Sequence, residues 1–354
     1  MNLIKLGWNE NFEKEFTKLN ENNNYIPGRV IVEYEHLYRV ITEKGEFLSP
    51  VSGRFIHTAT GKESYPSVGD WVVLDKPLSS NDTLRIHHVL KRKSKFSRKV
   101  AGVTTEEQVV ASNIDKLFIC MSLNDNFNIR RLERYIALAF KGKVEPIILL
   151  TKKDLCENPE EKINDILDSI SNIKVYMISS KTLEGFNNVT DNMGIGTTVA
   201  FIGSSGVGKS TLINAILGEE RQITKDISEL GDRGKHTTTN RELIVLGDMG
   251  IVIDTPGMKE IQLLDLDEGL SNLFIDIENL SNSCKFTNCN HKNEPGCAIL
   301  KALEDGTIDE ERYKSFLKLK KEENHFKTRE KSKSKEKNKS KNNKKYLLMK
   351  EKSY

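Results

Sequence analysis

Residues 203–210, Gly203-Ser204-Ser205-Gly206-Val207-Gly208-Lys209-Ser210, constrain this chain more than any other stretch. They follow an apolar run, Thr197 to Ile202, and precede a helix-like one, Thr211 to Leu217. A Gly-rich turn between a strand and a helix lets the backbone curl so that its N–H groups converge on phosphate oxygens. In that setting Lys209 reaches the β- and γ-phosphates and the Ser210 hydroxyl holds Mg²⁺. The chain must therefore contain a P-loop nucleotide domain with a strand immediately before this turn.

Two further strand ends refine the nucleotide. Asp254-Thr255-Pro256-Gly257 closes the apolar run Gly250 to Ile253; there Asp254 is placed to hold Mg²⁺ through water and the Gly257 N–H to sense a γ-phosphate. Thr151-Lys152-Lys153-Asp154 closes another run, where a carboxylate accepts hydrogen bonds from guanine N1–H and N2–H₂, which adenine does not offer. Asp154 thus selects GTP over ATP. Ser179-Ser180-Lys181, at the next strand end, packs its backbone beside guanine O6. In an ordinary small GTPase the phosphate-reading segments precede the guanine-reading ones, and here they follow. The expected domain is a circularly permuted GTPase with a mostly parallel sheet, and the strand–helix alternation from Gln108 onward agrees.

Upstream, short β-like runs from Ile26 to about Leu90, separated by Gly, Pro and Asn turns, predict a small closed barrel of OB type. Residues 1–24 carry Leu3, Leu6, Trp8, Phe12, Phe16 and Leu19 at helical spacing, which predicts a short docked helix. Downstream, Cys284-x4-Cys289-x-His291-x5-Cys297 offers three thiolates and an imidazole within 14 residues, a full tetrahedral set with no open position for water. Asn282, Lys285, Asn288, Asn290 and Lys292 make the segment too polar to fold around a core, so one structural zinc is expected.

Charge is uneven. Lys327 to Tyr354 hold twelve Lys or Arg and three Glu, a surplus of nine in a chain of net charge +3, so the remainder is −6. With the basic knot from Lys91 to Lys99, this tail points to a nucleic-acid partner. No apolar run approaches the roughly 20 residues of a membrane span, and no secretory signal is visible, so a cytoplasmic protein is expected.

At this point the chain resembles the ribosome small-subunit-dependent GTPase A proteins of bacteria. The likeness covers about residues 26–320 and is carried by Asn113-Ile114-Asp115, the run from Asn126 to Tyr135, the permuted GTPase motifs, Gly234-Lys235-His236-Thr237-Thr238-Thr239 and the Cys/His cluster. The resemblance implies a GTPase that binds the 30S subunit and its 16S rRNA late in assembly and leaves on hydrolysis, as a monomer. It departs at Thr151, where the commoner motif has Asn; a Thr hydroxyl can reach guanine N7 but replaces only part of the Asn network.

The expected architecture is multidomain α/β: a helical extension (1–25), an OB-type barrel (26–106), the permuted GTPase domain (107–262), a helical zinc-binding domain (263–325) and a basic disordered tail (326–354). The candidate nucleotide set is Thr151, Lys152, Lys153, Asp154, Ser179, Ser180, Lys181, the whole loop from Gly203 through Ser210, Thr211, Thr238, Asp254 and Gly257. Ser210 and a threonine of a switch at about 223–240 are the Mg²⁺ ligands expected, Thr238 first, with Thr237 and Thr239 as the alternatives. Lys209, Ser210 and Asp254 are the catalytic candidates. Met258 stands near where many GTPases keep a water-orienting Gln, so turnover should be slow, with His236 or a ribosomal group completing the site. The rival readings are an RNA-binding assembly factor that uses GTP only as a ligand, and a P-loop kinase or ATPase, which Asp154 disfavours.

Overall fold

The computed structural model describes all residues except 1, 23, 36, 80–81, 100–106, 125, 171–172, 219–240, 255–266, 325–327 and 329–354. The expected switch with His236 and Thr238, the turn with Gly257 and Met258, and nearly all of the basic tail lie outside the described residues. The chain divides into two units, Met1–Gln262 and Leu263–Tyr354.

The first unit opens with a 3-10 turn, Leu3–Leu6, and helix α1, Glu10–Leu19. The hydrophobic spacing read as one helix is interrupted: Gly7 adopts a left-handed φ of 86°, and the Asn9 side chain then caps α1 by accepting from the Asn11 and Phe12 N–H groups. Leu6, Phe12 and Phe16 are buried, whereas Leu19 lies at the exposed end. Trp8 sets its ring edge-on to Trp71, 4.7 Å between centroids, which fastens this segment to the strands downstream.

Strands β1 (Tyr25–Glu33), β2 (Leu37–Thr42) and β3 (Gly45–Pro50) form an antiparallel meander. After helix α2 (Gly53–Thr58) come strands β4 (Trp71–Asp75) and β5 (Ile86–Val89). β4 pairs with both β1 and β5, and a parallel bridge from Val51 to Ile86 joins the end of β3 to β5. The circuit 1-2-3-5-4-1 is closed around Val30, Val40, Phe47, Val72, Leu74 and Ile86. β6 (Lys95–Lys99) and β7 (Glu107–Ser112) then form an antiparallel pair across the expected boundary at 106.

The alternation from Gln108 becomes β8 (Lys116–Ser122), α3 (Ile129–Lys141), β9 (Glu145–Thr151), α4 (Pro159–Ser169), β10 (Lys174–Met177), the short α5 (Asn187–Thr190), β11 (Thr198–Gly203), α6 (Lys209–Leu217), β12 (Glu242–Val245) and β13 (Ile251–Asp254). The strand order is β10-β9-β8-β11-β13-β12, parallel except for β12. The central strands read as unbroken apolar runs because both faces are covered, and α6 packs Leu212, Ile213 and Ile216 against Phe118, Phe201 and Val252. This sheet continues into the barrel: Glu242 stands opposite Asp254 on one side and Val32 of β1 on the other. The Glu242 carboxylate also pairs with Arg39 of β2 at 2.8 Å.

Arg29 seals the junction. Its guanidinium, 1% exposed, donates to the carbonyls of Leu6, Gly69 and Asn113, from three separate segments. Burial pulls it down to about 10, against the attraction of Asp115 and Asp70, so it remains a cation at neutral pH.

The second unit is helical: α7 (Asp267–Leu273), α8 (Ile275–Ser281), α9 (Ala298–Glu304) and α10 (310–324). Phe274, Ile277, Ile299, Tyr313, Phe316 and Leu319 form its buried core. Arg312 holds it together by donating to both Asp276 oxygens at 2.9 and 2.8 Å and to the Leu273 carbonyl. Among the described residues no helix is long and apolar enough to cross a membrane.

Candidate nucleotide site and metal cluster

Parallel strands all point their carboxyl ends the same way, so the segments leaving β9, β10, β11 and β13 share one edge of the sheet. That edge gathers Thr151 to Asp154, Ser179 to Lys181, the 203–210 loop and Asp254, although they are spread over about 100 residues of sequence.

The phosphate loop begins at Gly203, whose φ of 155° and position against β8 exclude a side chain: a Cβ there would lie 2.4 Å from the Cys120 carbonyl oxygen. Gly206 and Gly208 take φ values of 73° and 101°, giving the curl that turns backbone N–H groups inward. Gly208 then caps α6, whose first residues are Lys209 and Ser210. The Lys209 ammonium donates to the Gly203 and Ser204 carbonyls at 2.7 and 2.8 Å, so it is held across the loop. Val207 is buried and anchors the loop, Ser204 is half-buried, and Ser205, Gly206, Ser210 and Thr211 are exposed at its mouth. Beneath it, burial pushes the Cys120 thiol up to about 12, so Cys120 is packing and not a nucleophile.

At the base-reading end, Lys152 takes a left-handed φ of 59°, which turns the chain sharply after β9 and presents Asp154 at the surface. Ser179, buried at the end of β10, donates its hydroxyl to Asp154 Oδ1 at 2.7 Å and accepts from the Thr182 N–H. The Asp154 carboxylate is thereby oriented with lone pairs left for a base. Lys153 is drawn aside by an ion pair with Glu184, and Lys181 is exposed. The buried Ser180 hydroxyl oxygen has no hydrogen-bond partner among the described residues.

The Thr151 hydroxyl donates to the Val207 carbonyl at 2.6 Å, with Met121 O at 3.5 Å, so its proton goes to the phosphate loop. Asp254 ends β13, half-buried, two strands from Thr151's neighbour β8. The glycine cradle, the orphaned Ser180 hydroxyl, the oriented Asp154 and the exposed Ser210 fit a Mg²⁺-bound guanine nucleotide.

The family described as RsgA GTPase matches residues 89–264. The small ribosomal subunit biogenesis GTPase RsgA 2 of Lactiplantibacillus plantarum is 41% identical over 322 residues, 91% of this chain and 89% of its own. The chain belongs to the RsgA GTPase family. The RsgA of Opitutus terrae is 37% identical over 91% of this chain and 90% of its own. Among solved structures, the RsgA-like fold matches YjeQ from Thermotoga maritima at a TM-score of 0.63, with 25% identity over 84% of this chain and 98% of that one. YloQ, described as a circularly permuted GTPase, matches at 0.62, with 25% identity over 86% and 96%. As an RsgA-family protein the chain is a GTP hydrolase, and its motif order is that of a permuted GTPase.

In the second unit, Cys284, Cys289, His291 and Cys297 bring their ligand atoms within 4.8 Å of one another. Cys284 Sγ lies 3.9 Å from Cys297 Sγ, and His291 Nδ1 lies 3.5 and 3.4 Å from those two sulfurs. Zinc–sulfur bonds of about 2.3 Å and zinc–nitrogen bonds of about 2.0 Å at tetrahedral angles give edges of about 3.8 Å (S to S) and about 3.5 Å (N to S). The three edges among Cys284, His291 and Cys297 have the dimensions of a tetrahedral site, with Nδ1 as the histidine's ligand atom, and Cys289 completes the set within 4.8 Å. Its Nε2 meets the Ser281 hydroxyl at 3.2 Å, a partner that fixes the ring. Burial pushes the Cys289 thiol up to about 11, with the crowding of Cys297 and Cys284 adding to it, a conflict that a cation relieves. Glu294 braces the loop by accepting from the N–H groups of Asn290, Lys292 and Asn293.

Sequence reasoning missed Ser281, Glu294, Arg29 and the Val207 carbonyl. Glu294 alone had a local signal, a carboxylate three residues past His291 in a polar loop; the others act across gaps that no spacing reveals.

Proposed function

We propose that this GTPase docks on the small (30S) ribosomal subunit late in its maturation and that hydrolysis of GTP to GDP and phosphate times its release. The observation that carries the reading is the convergence of the guanine-reading, phosphate-binding and Asp254 segments on one sheet edge; the names of the relatives supply the small subunit as partner. Asp154 accepts from guanine N1–H and N2–H₂, the loop N–H groups cradle the phosphates, and Lys209 neutralises their charge as it builds on the leaving oxygen. Mg²⁺, when bound, would offset the charge that builds on the phosphates in the transition state. Ser210 and Thr238 are its proposed ligands, with Asp254 acting through water. The Gly257 N–H senses the γ-phosphate, and His236 or a ribosomal group orients the attacking water, since Met258 cannot. Thr238, Gly257 and His236 are assigned on sequence alone.

The closed circuit 1-2-3-5-4-1 supports an OB-type barrel at 26–106, between the helical extension (1–25) and the GTPase domain (107–262). The tetrahedral edges of the Cys/His cluster support one structural zinc in a domain spanning 263–325. The barrel, the zinc domain and the basic tail (326–354) are the proposed contacts to 16S rRNA, and the protein acts as a cytoplasmic monomer. Measuring GTP turnover with and without 30S subunits tests the reading: a rise with 30S is expected. Turnover that ignores 30S while binding persists would favour an RNA-binding factor that uses GTP only as a ligand.

A further inference from the structure

We propose that Thr151 is a positioning residue that ties the base-reading strand to the phosphate loop and leaves guanine N7 unread, so that the enzyme binds guanine nucleotides lacking N7 as well as it binds normal ones. This rests on the GTPase reading above and assigns the contacts of its base.

Donor count limits what Thr151 can contact. A threonine hydroxyl has one proton, whereas the asparagine amide of the commoner motif has two. Thr151 is 1% exposed at the end of β9, and its two oxygen neighbours, Val207 O at 2.6 Å and Met121 O at 3.5 Å, are both carbonyls that only accept. The proton therefore goes to Val207, the shorter contact. Guanine N7 is likewise an acceptor and offers no proton. With its proton committed, the Thr151 oxygen has nothing to donate to N7. An asparagine here could serve the loop with one hydrogen and N7 with the other.

The tether runs from a firm strand end to the start of a turn. Thr151 stands opposite Ser122 of β8, and its carbonyl accepts the Leu123 N–H at 3.0 Å, so the strand end is held against β8. Val207 is followed by Gly208, the left-handed residue that starts α6, and then by Lys209 and Ser210. A hydrogen bond to the Val207 carbonyl therefore sets the peptide plane from which the phosphate-binding turn departs. Three residues after Thr151, Asp154 reads the opposite, N1 and N2, edge of the base with its carboxylate braced by Ser179. Base selection and loop placement are divided between two side chains of one tetrapeptide.

The test uses the full-length protein with Mg²⁺ and calorimetric titration of GDP, 7-deaza-GDP and ADP. Wild type should bind 7-deaza-GDP within about threefold of GDP, since no buried donor is orphaned by removing N7; a larger loss would overturn the proposal. Thr151→Asn should open a gap between GDP and 7-deaza-GDP of about fivefold or more, the cost of leaving the new donor unpaired, and the absence of that gap would count against it. Thr151→Val should weaken GDP and 7-deaza-GDP by the same factor with the GDP-to-ADP ratio unchanged, and Thr151→Ser should restore both. A Thr151→Val protein that lost base selectivity alone would make Thr151 a base contact. Wild type binding ADP as well as GDP would instead defeat the guanine reading itself, whatever the outcome with 7-deaza-GDP.

Discussion

The nucleotide site and the Cys/His cluster are both loops that present ligand atoms, yet they are held in opposite ways. The phosphate loop is bolted to a sheet: Val207 is buried, Gly203 lies against Cys120, and Thr151 and Lys209 bond its carbonyls. The metal loop has no such backing, since from 282 to 297 only Cys297 is buried, and its order depends on Glu294, on the capping of α9 and on the ligands themselves. A site built on a core is formed before its ligand arrives, whereas a site without one exists by virtue of its ligand. The helices beside the loop have a core of their own around Phe274 and Phe316, so the metal dependence expected of the Cys284–Cys297 segment is not expected to extend to them.

The largest effect expected is therefore metal removal. Cys289→Ser, or exhaustive chelation, should abolish zinc binding, worth about 10 to 16 kcal/mol in small zinc domains, and erase amide protection across 284–297 while GTP still binds. Protection that survives in the metal-free protein would break the comparison. On the other side, Gly203→Ala places a Cβ against backbone that cannot yield, and a loss of about 4 kcal/mol or more is expected. Thermal melting and nucleotide titration check it, and a variant of normal stability that binds GTP would show the loop to be as pliable as the metal loop.

A smaller effect separates positioning from selection. Asp154→Asn should lower GTP affinity at least about tenfold, because a charge-assisted bond pair worth about 1.5 to 3 kcal/mol is lost, without changing the weak affinity for ATP. Equal losses for both nucleotides, by titration, would mean that the substitution had disturbed the loop and not the base contact.

The smallest effect concerns Asp276 and Arg312. Burial pushes the Asp276 carboxyl up, but its bonds to Arg312 outweigh that and hold it below the ordinary value. A depressed carboxylate contributes stability above its unfolded pKa of about 3.9 and loses it as pH falls further. Because Asp276 is half-exposed, the contribution is on the order of 1 kcal/mol. Asp276→Asn should accordingly cost that much at pH 7, and the difference from wild type should shrink below pH 4 in denaturant melts of the zinc-loaded protein. A difference independent of pH would assign the effect to packing.

Legibility in the sequence divides along the same line. The phosphate loop, the guanine tetrapeptide and the Cys/His spacing are local patterns, because each chemistry needs neighbouring residues in one turn. The partner of Thr151 is 56 residues away, and a single tetrapeptide could not reveal that its hydroxyl was already committed. Arg29, with acceptors 23, 40 and 84 residues distant, and the pairing of Val32 with Glu242 were equally invisible. The N-terminal spacing misled in a different way: hydrophobic period survives a chain break at Gly7, since burial selects the side chains and not the continuity of the helix.

The central claim is that nucleotide state controls attachment to the small subunit. Linkage requires reciprocity: whatever factor separates the 30S affinities of the two nucleotide states is also the factor by which the subunit shifts the ratio of GTP to GDP affinity from its value in the free protein. Co-sedimentation of the zinc-loaded protein with 30S particles, in a non-hydrolysable GTP analogue and in GDP, measures it most directly. A roughly 5- to 150-fold preference for the GTP-analogue complex is predicted, the range of a coupling of about 1 to 3 kcal/mol. Equal binding in the two states would contradict it.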